Sequence, residues 1–430
     1  MSGKCKSAAE AVSGIKSNTT IFIHGAAATP DRLIEGLIER AHELRNVEII
    51  HLHTHGPAKY ASPEYAQSFR VTNLFLGGNI RSYFDFDRVD YLPCFLSEMP
   101  ALFKSGRKKV HAALIHVSPP DKHGYCSLGT SVDTAKAAVE TADIVIAQIN
   151  PRMPRVHGEG LIPLSRINAW IDVDDDLHEA EPHAISENEM KIGHLIAGMI
   201  EDGATLQMGI GAIPDATLLA LKGHEHLGIH TEMWSVNALE LIRSGAVDNS
   251  RKVIHTGQTV STFVMGNKDV YEEIHDNPAY IQLPADEVNN VTVIRQNPKV
   301  AAINSAVAVD LTGQVCADSV GSRIISGVGG QMDFIRAASL SKGGLPVIAF
   351  LSRTEKGYSK IVPTLPPGSG VVTTRAHVHY IVTEYGIADL YGKTLGERSK
   401  ALIEIAHPDD REGLERAWFD MVKSAVGRRI

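Results

Sequence analysis

Cysteine is scarce in this chain. Four occur in 430 residues, at Cys5, Cys94, Cys126 and Cys316. No two form a C-x-x-C pair, and the spacings make no disulfide framework, so a reduced, cytoplasmic setting is expected. No apolar run reaches 18 residues, so no membrane-spanning helix is expected. The opening MSGKCKSAAEAVSGIKSN lacks the continuous apolar stretch of a secretory signal. Basic excess is missing too: Lys plus Arg number 42 against 50 Asp plus Glu, a formal charge of −8. A nucleic-acid binder would usually carry a basic stripe, so none is expected as a partner. What remains is ordinary for a globular protein, 43% apolar and 21% charged. At roughly 150 residues per domain, the length allows two or three domains. Glycine, at 37 residues, is somewhat abundant, which suggests many tight strand-to-helix turns.

Short β-branched runs alternate with amphipathic segments. Strands are expected at Thr20–His24, Val47–Leu52, Val71–Leu76, Val110–Val117 and Asp143–Ile149, with helices in DRLIEGLIERAHEL and AKAAVETA. That alternation predicts mostly parallel sheets with helices on their faces. From Pro151 to Pro182 the texture changes, with four prolines and the acidic cluster Asp172–Asp176, which suggests a connection between domains. The D-x-D-x-D spacing lacks the glycine of a calcium loop, Leu177 standing in its place, so a solvated acidic turn is expected. Ser186 and Glu189 have capping-box spacing ahead of a helix whose apolar face is Ile192, Leu195, Ile196, Met199 and Ile200. Further strands are expected at Thr205–Met208, LGIH, Val253–His255, Val300–Ile303, Val347–Leu351 and His379–Val382, and two amphipathic helices close the chain. The expected division is 1–185 and 186–430.

Several places could carry chemistry. Gly209-Ile-Gly-Ala-Ile-Pro214 follows a strand and opens a helix, where backbone N–H groups can meet an anionic or carbonyl group. Pro214 and the lack of a downstream acid argue against a dinucleotide fingerprint, and a plain tight turn stays open. Ser326-Gly-Val-Gly-Gly-Gln-Met-Asp-Phe334 puts three glycines before a helix and lacks the Lys-Ser/Thr of a P-loop. It can approach a phosphate, a pantetheine arm or an oxyanion, or serve as a packing turn. Glu232, in Gly228-Ile-His-Thr-Glu232, ends a strand where a parallel sheet binds ligands, although a lone Glu there is more often a surface acid. His51, His53 and His55 alternate as if on one face, but no distal cluster completes a metal site, and none is expected. The nucleophile elbow G-x-S-x-G is absent; Gly357-Tyr-Ser-Lys-Ile361 lacks its second glycine.

With Arg81, the strings DYLPCFLSEMP, SPPDKHGYCSLGTSVD, LQMGIGAIPDA, GIHTEM, AINSA, VDLTGQV, SGVGGQMDF, SKIVP and VTEYGIADL, in this order, resemble the acetyl-CoA hydrolase/transferase family. The likeness covers nearly the whole chain and is closest to 4-hydroxybutyrate and butyryl CoA-transferases. It implies two open α/β domains of the CoA-transferase (NagB/RpiA-like) type with mostly parallel sheets and an active site in the cleft between them. It also implies CoA transfer through a glutamyl-CoA thioester, with Glu232 as nucleophile on the C-terminal domain. By the same resemblance, Gly330 or Gly329 is an oxyanion donor, while Gln207, Gly209 and Gly211 surround the acyl and thioester groups. Gly327 and Gln331 join the CoA-binding set, and Asn290 and Glu384 line the site. Acyl-CoA and small carboxylic acids are then substrates, no cofactor is permanently bound, and a homodimer or dimer of dimers is implied. Ser235-Val-Asn237, Ala308 and Ala337 depart from the usual family pattern near the acyl site, which leaves the acceptor acid open. An acyl-CoA hydrolase on the same scaffold and a non-catalytic CoA-binding protein are the alternatives.

Overall fold

The computed structural model describes residues 3–180 and 184–427. These pack into two compact units. Among the described residues, the first takes 3–180, His230–Val236 and Gly257–Asn290, and the second takes 184–229, Asn237–Thr256 and 291–427. This differs from a single division near residue 185. Two later segments return to the first unit, and Glu232 lies in one of them.

The first unit is built on a sheet of eight parallel strands among the described residues. Their spatial order is Gly3–Lys4, Ala169–Asp172, Ile144–Ile149, Ala112–Val117, Thr20–Ile23, Val47–His51, Phe69–Asn73 and Val89–Tyr91. Every residue of Ala112–Val117 is buried, as expected for a parallel strand covered on both faces. The core joins Phe22, Ile50, Leu74, Phe103, Ile115 and Val145 to Ala285 from the later segment. Sequential strands run outward in opposite directions from Thr20–Ile23 and Ala112–Val117. Their carboxyl ends therefore flank a topological switch point, where open α/β sheets bind ligands.

The expected connection over Pro151–Pro182 is instead part of this unit. Ala169–Asp172 is a strand of the main sheet, and Leu161–Pro163 pairs with Tyr125–Ser127. Pro182 lies outside the described residues. The acidic cluster forms separate ion pairs, Asp172 with Lys4, Asp175 with Arg32, and Asp174 and Asp176 with Arg152.

The second unit holds a six-stranded sheet in the order Gly228–Ile229, Thr205–Met208, Val300–Ser305, Leu345–Ala349, Tyr380–Thr383 and Gly386–Asp389. It is parallel except for the last pair. The Ser186–Glu189 capping box forms and starts the helix Glu187–Ala197. Gly193 lets that helix touch Ala212–Ala220, since a Cβ there would meet the Ala216 carbonyl carbon at 2.7 Å. The two expected closing helices are Leu395–Glu404 and Pro408–Gly427. Val253–His255 is not a strand. Its Val253 and Ile254 N–H groups donate to the Asn297 side chain, and His255 has a left-handed backbone (φ 52°), so the segment turns.

Candidate active site

In the first unit, Glu232 sits in a short loop tied down on both sides. The Thr231 N–H donates to Val260 O at 3.0 Å. The Glu232 carbonyl accepts from the N–H groups of Thr262 (2.9 Å) and Phe263 (3.2 Å). Strand Met233–Trp234 then pairs in parallel with Phe263–Val264, and the Trp234 ring stacks on Tyr280 at 5.5 Å. The loop backbone is therefore fixed while the carboxylate stays half-buried. One of its oxygens accepts from Asn289 Nδ2 at 3.2 Å. Asn289 is fully buried and follows the short helix Ala285–Val288. Asn290, the residue expected from the sequence, is half-buried and next along the chain. Nothing in the V-N-N-V string distinguishes the two asparagines.

The carboxyl ends of this unit's strands carry imidazoles. His24 Nε2 donates to Ser131 O at 2.6 Å, and His24 Nδ1 accepts from the His116 N–H at 3.3 Å. Asn150 Nδ2 donates to His116 Nε2 at 3.0 Å. His51 Nε2 shares a hydrogen bond with Tyr60 Oη at 3.1 Å. The His53 ring lies edge-on to Phe263 at 5.4 Å and near Phe75 and His55. Burial pushes His51 and His116 down to about 3 and His55 to about 4, with neighbouring imidazoles adding to each shift. His24 and His53 are lowered by the same burial. All five are neutral at pH 7. The expected alternation of His51, His53 and His55 on one strand face is not realised, because the strand stops at His51.

In the second unit, the strand ends meet glycine turns. Gln207 is buried and exchanges two hydrogen bonds with Asn304 on the adjacent strand, at 2.9 and 3.4 Å. Gly209 follows, its N–H donating to Ile303 O at 3.1 Å. Gly211 caps the helix Ala212–Ala220 with φ 126° and ψ 178°, a conformation essentially restricted to glycine. A cavity of about 300 Å³ opens at this helix start, lined by Gly211, Ala212, Ser305, Phe350, Arg353 and Lys360 among others. It lies at the switch point between Thr205–Met208 and Val300–Ser305.

The second glycine cluster reaches the same place. Gly330 caps the helix Gln331–Leu340, with Gly329 left-handed (φ 55°) before it and Gly327 two residues earlier. Gln331 Nε2 donates to Ser305 O at 2.7 Å, and its Oε1 accepts from Thr373 Oγ1 at 3.0 Å. Glu384 accepts from the Ser352 N–H and hydroxyl at 2.8 and 2.6 Å. Lys360, part of the SKIVP string but not expected as a site residue, stands over the Phe350 ring at 5.2 Å. Burial pushes its amine down to about 8 against the pull of Glu384. Gln207, Gly209, Gly211, Gln331 and Glu384 thus gather around one set of strand ends. The set offers backbone N–H groups and a nearby cation, which suits an anionic or carbonyl-bearing ligand.

Comparison with known proteins gives a consistent picture. A family model described as the acetyl-CoA hydrolase/transferase N-terminal domain matches residues 2–181, and its C-terminal counterpart matches 266–418. The chain is 48% identical over 414 residues to a succinyl-CoA:acetate/propanoyl-CoA:succinate CoA transferase of Fasciola hepatica, covering 95% of this chain and 86% of that one. It is 46% identical to a 4-hydroxybutyrate coenzyme A transferase of Clostridium kluyveri, covering 96% of each. The crystal structure of a 4-hydroxybutyrate CoA-transferase from Porphyromonas gingivalis superposes with TM-score 0.84 at 37% identity, over 97% of both chains.

Proposed function

The chain belongs to the acetyl-CoA hydrolase/transferase family, and on that premise we propose that it is a CoA-transferase that moves CoA from a short-chain acyl-CoA to a small carboxylic acid. The acceptors we favour are of the 4-hydroxybutyrate, butyrate and acetate class. The observation that carries the reading is the Glu232 carboxylate, held half-buried on a fixed backbone with an amide donor at 3.2 Å. A carboxylate is a weak nucleophile in water and an adequate one against a thioester when it is positioned and partly desolvated.

A Glu232 oxygen attacks the acyl-CoA carbonyl, the C–S bond breaks, and an acyl-glutamyl anhydride and CoA thiolate form. The thiolate then attacks the glutamyl carbonyl. The first acid leaves as its carboxylate and a glutamyl-CoA thioester remains. The incoming carboxylate attacks that thioester to give a new anhydride and thiolate. Thiolate attack on the substrate carbonyl releases the new acyl-CoA and restores Glu232. Each step carries its charge on an oxygen or sulfur, and we assign Gly329 or Gly330 as the N–H donor to the developing oxyanion. We assign Gln207, Gly209, Gly211, Gly327 and Gln331 to acyl-CoA binding, and Asn290 and Glu384 to the lining of the site. Binding energy from the body of CoA, remote from the reacting carbon, supports the chemical step.

The test is intact-mass measurement after incubation with acetyl-CoA, with and without a second carboxylate. A CoA adduct that maps to Glu232 and discharges on adding acetate, butyrate or 4-hydroxybutyrate supports transfer. CoA release at one rate with or without an acceptor identifies a hydrolase. Neither turnover nor adduct leaves a CoA-binding protein. The reading includes a homodimer or dimer of dimers, which light scattering in solution checks.

A further inference from the structure

We propose that His230 is a positioning residue for the transfer reaction, setting the distance between the Glu232 carboxylate and the Asn289 amide. This rests on Glu232 being the nucleophile. His230 is 1% exposed. An imidazole buried to that extent costs more than an aliphatic side chain of similar size unless its polar atoms do something. Its Nε2–H donates to Val288 O at 2.9 Å. That bond joins the residue two before Glu232 to the residue immediately before Asn289.

The two ends of the clasp are anchored separately. On one side, His230 forms a parallel bridge with Val260, and Thr231 N–H donates to Val260 O. On the other, Ala285–Val288 is a helix of four residues, too short to hold its own end rigidly. Its start is tied by the Ala285 N–H donating to Asp133 O at 3.1 Å, and its terminal Val288 carbonyl is taken by His230. Asn289 leaves directly from that carbonyl and donates to Glu232 Oε2. The chain path His230–Thr231–Glu232, the amide–carboxylate bond, the Asn289–Val288 peptide link and the imidazole–carbonyl bond close a ring. Removing the imidazole opens the ring at a point remote from the reacting oxygen. The amide can then drift from the carboxylate, and a drift near 1 Å costs on the order of 10²-fold in rate.

The experiment measures kcat and KM for CoA transfer, with the single-turnover rate of CoA-adduct formation, in His230→Leu, His230→Gln, His230→Asn, Asn289→Ala and the double variant His230→Leu/Asn289→Ala. His230→Leu is expected to lower kcat about 10- to 100-fold, with KM for acyl-CoA unchanged. Gln places an amide N–H close to the position of Nε2 and restores most of the rate; the shorter Asn does not. Because His230 acts through Asn289, the double variant should be no slower than Asn289→Ala alone. Parent-like activity in His230→Leu, equal rates in the Gln and Asn variants, or losses that multiply in the double variant would each overturn the assignment. The Gln–Asn contrast decides the matter if the Leu variant fails to fold. Persistent transfer in Glu232→Ala would instead overturn the nucleophile reading on which the clasp rests.

Discussion

The two units solve one architectural problem with opposite chemistry. Each builds a parallel or mostly parallel sheet and opens a switch point at the carboxyl ends of its strands. In the first unit those ends carry His24, His51 and His116, buried and neutral. In the second they carry the Gly209–Gly211 turn, Gly330 and the amine of Lys360, with a further buried amine, Lys252, beside the edge strand Gly228–Ile229. Lys252 donates to Ile229 O at 2.9 Å, and burial pushes it down to about 7. An imidazole lowered by burial is uncharged at neutral pH and resists acid. A lysine lowered to about 7 gives up its proton where an ordinary one keeps it. The difference teaches that strand ends can be made polar in two ways that carry the same sign of pH dependence in different windows, acid for the imidazoles and mildly alkaline for the amine.

Four measurements break or sharpen this contrast. The largest effect is expected in chemistry, which we assign to the first unit. Glu232→Ala should abolish the CoA adduct, and Glu232→Asp, with its carboxylate drawn back, should lose on the order of 10²-fold in kcat. A fully active Asp variant would move the chemistry elsewhere.

Next comes acid. His51, His55 and His116 take protons at about 3 to 4 when folded and near 6.5 when unfolded, so the unfolded state binds more protons between those values. Stability held above pH 6.5 is therefore lost as pH falls toward 4. Amide exchange at pH 7 and 4.5 should show Thr20–Ile23, Val47–His51 and Ala112–Val117 losing protection before Thr205–Met208, Val300–Ser305 and Leu345–Ala349. Equal losses in both sheets would erase the contrast.

The third test concerns the glycine turn. Gly211→Ala forces an L-residue into a conformation that costs about 1–3 kcal/mol. KM for acyl-CoA should rise about tenfold, with the discharge of a preformed adduct unchanged; a change confined to discharge would remove the turn from CoA binding. The smallest effect belongs to Lys252. Between pH 7 and 10.5 the unfolded chain holds a proton the folded chain lacks, so folded stability rises with pH in that window. Urea unfolding at pH 7.5 and 8.5 should show a larger gain in the parent than in Lys252→Met, which keeps the contribution of Lys360, a difference of at most about 1.4 kcal/mol. Equal slopes would mean that Lys252 stays charged.

Much of this was visible in the sequence, and the failures have physical causes. Strands such as Thr205–Met208 and the Ser186–Glu189 cap are local patterns, and they form where local chemistry calls for them. Glycine turns ahead of helices were also legible, because backbone geometry dictates the residue type at Gly211. Val253–His255 failed because a β-branched start says nothing of a left-handed His255 or of the Asn297 side chain that captures two N–H groups. The histidine cluster was seen only as an alternation of three, since His24 and His116 join it through strand adjacency. Asn289 was not singled out beside Asn290, because only the end of a four-residue helix brings its amide to the carboxylate. Membership of Glu232 in the first unit depends on pairings such as Met233–Trp234 with Phe263–Val264. Local sequence cannot state them.

The return of later segments to the first unit has a consequence for how the chain is made. His157–Gly158 pairs with Ile281 and Gln282, and Ala285 belongs to the same core as Phe22. A nascent chain that has emerged to residue 182 therefore holds an eight-stranded sheet with part of its wall still unmade. Synthesis of the stretch up to residue 290 takes roughly 5–20 s at typical translation speeds. During that interval the core lacks Ala285 and His157–Gly158 lacks its strand partner, while most of the intervening chain goes to the other unit. The loop bearing Glu232 arrives among the same late segments, so on the ribosome the first unit is completed only after it acquires the carboxylate we propose as nucleophile.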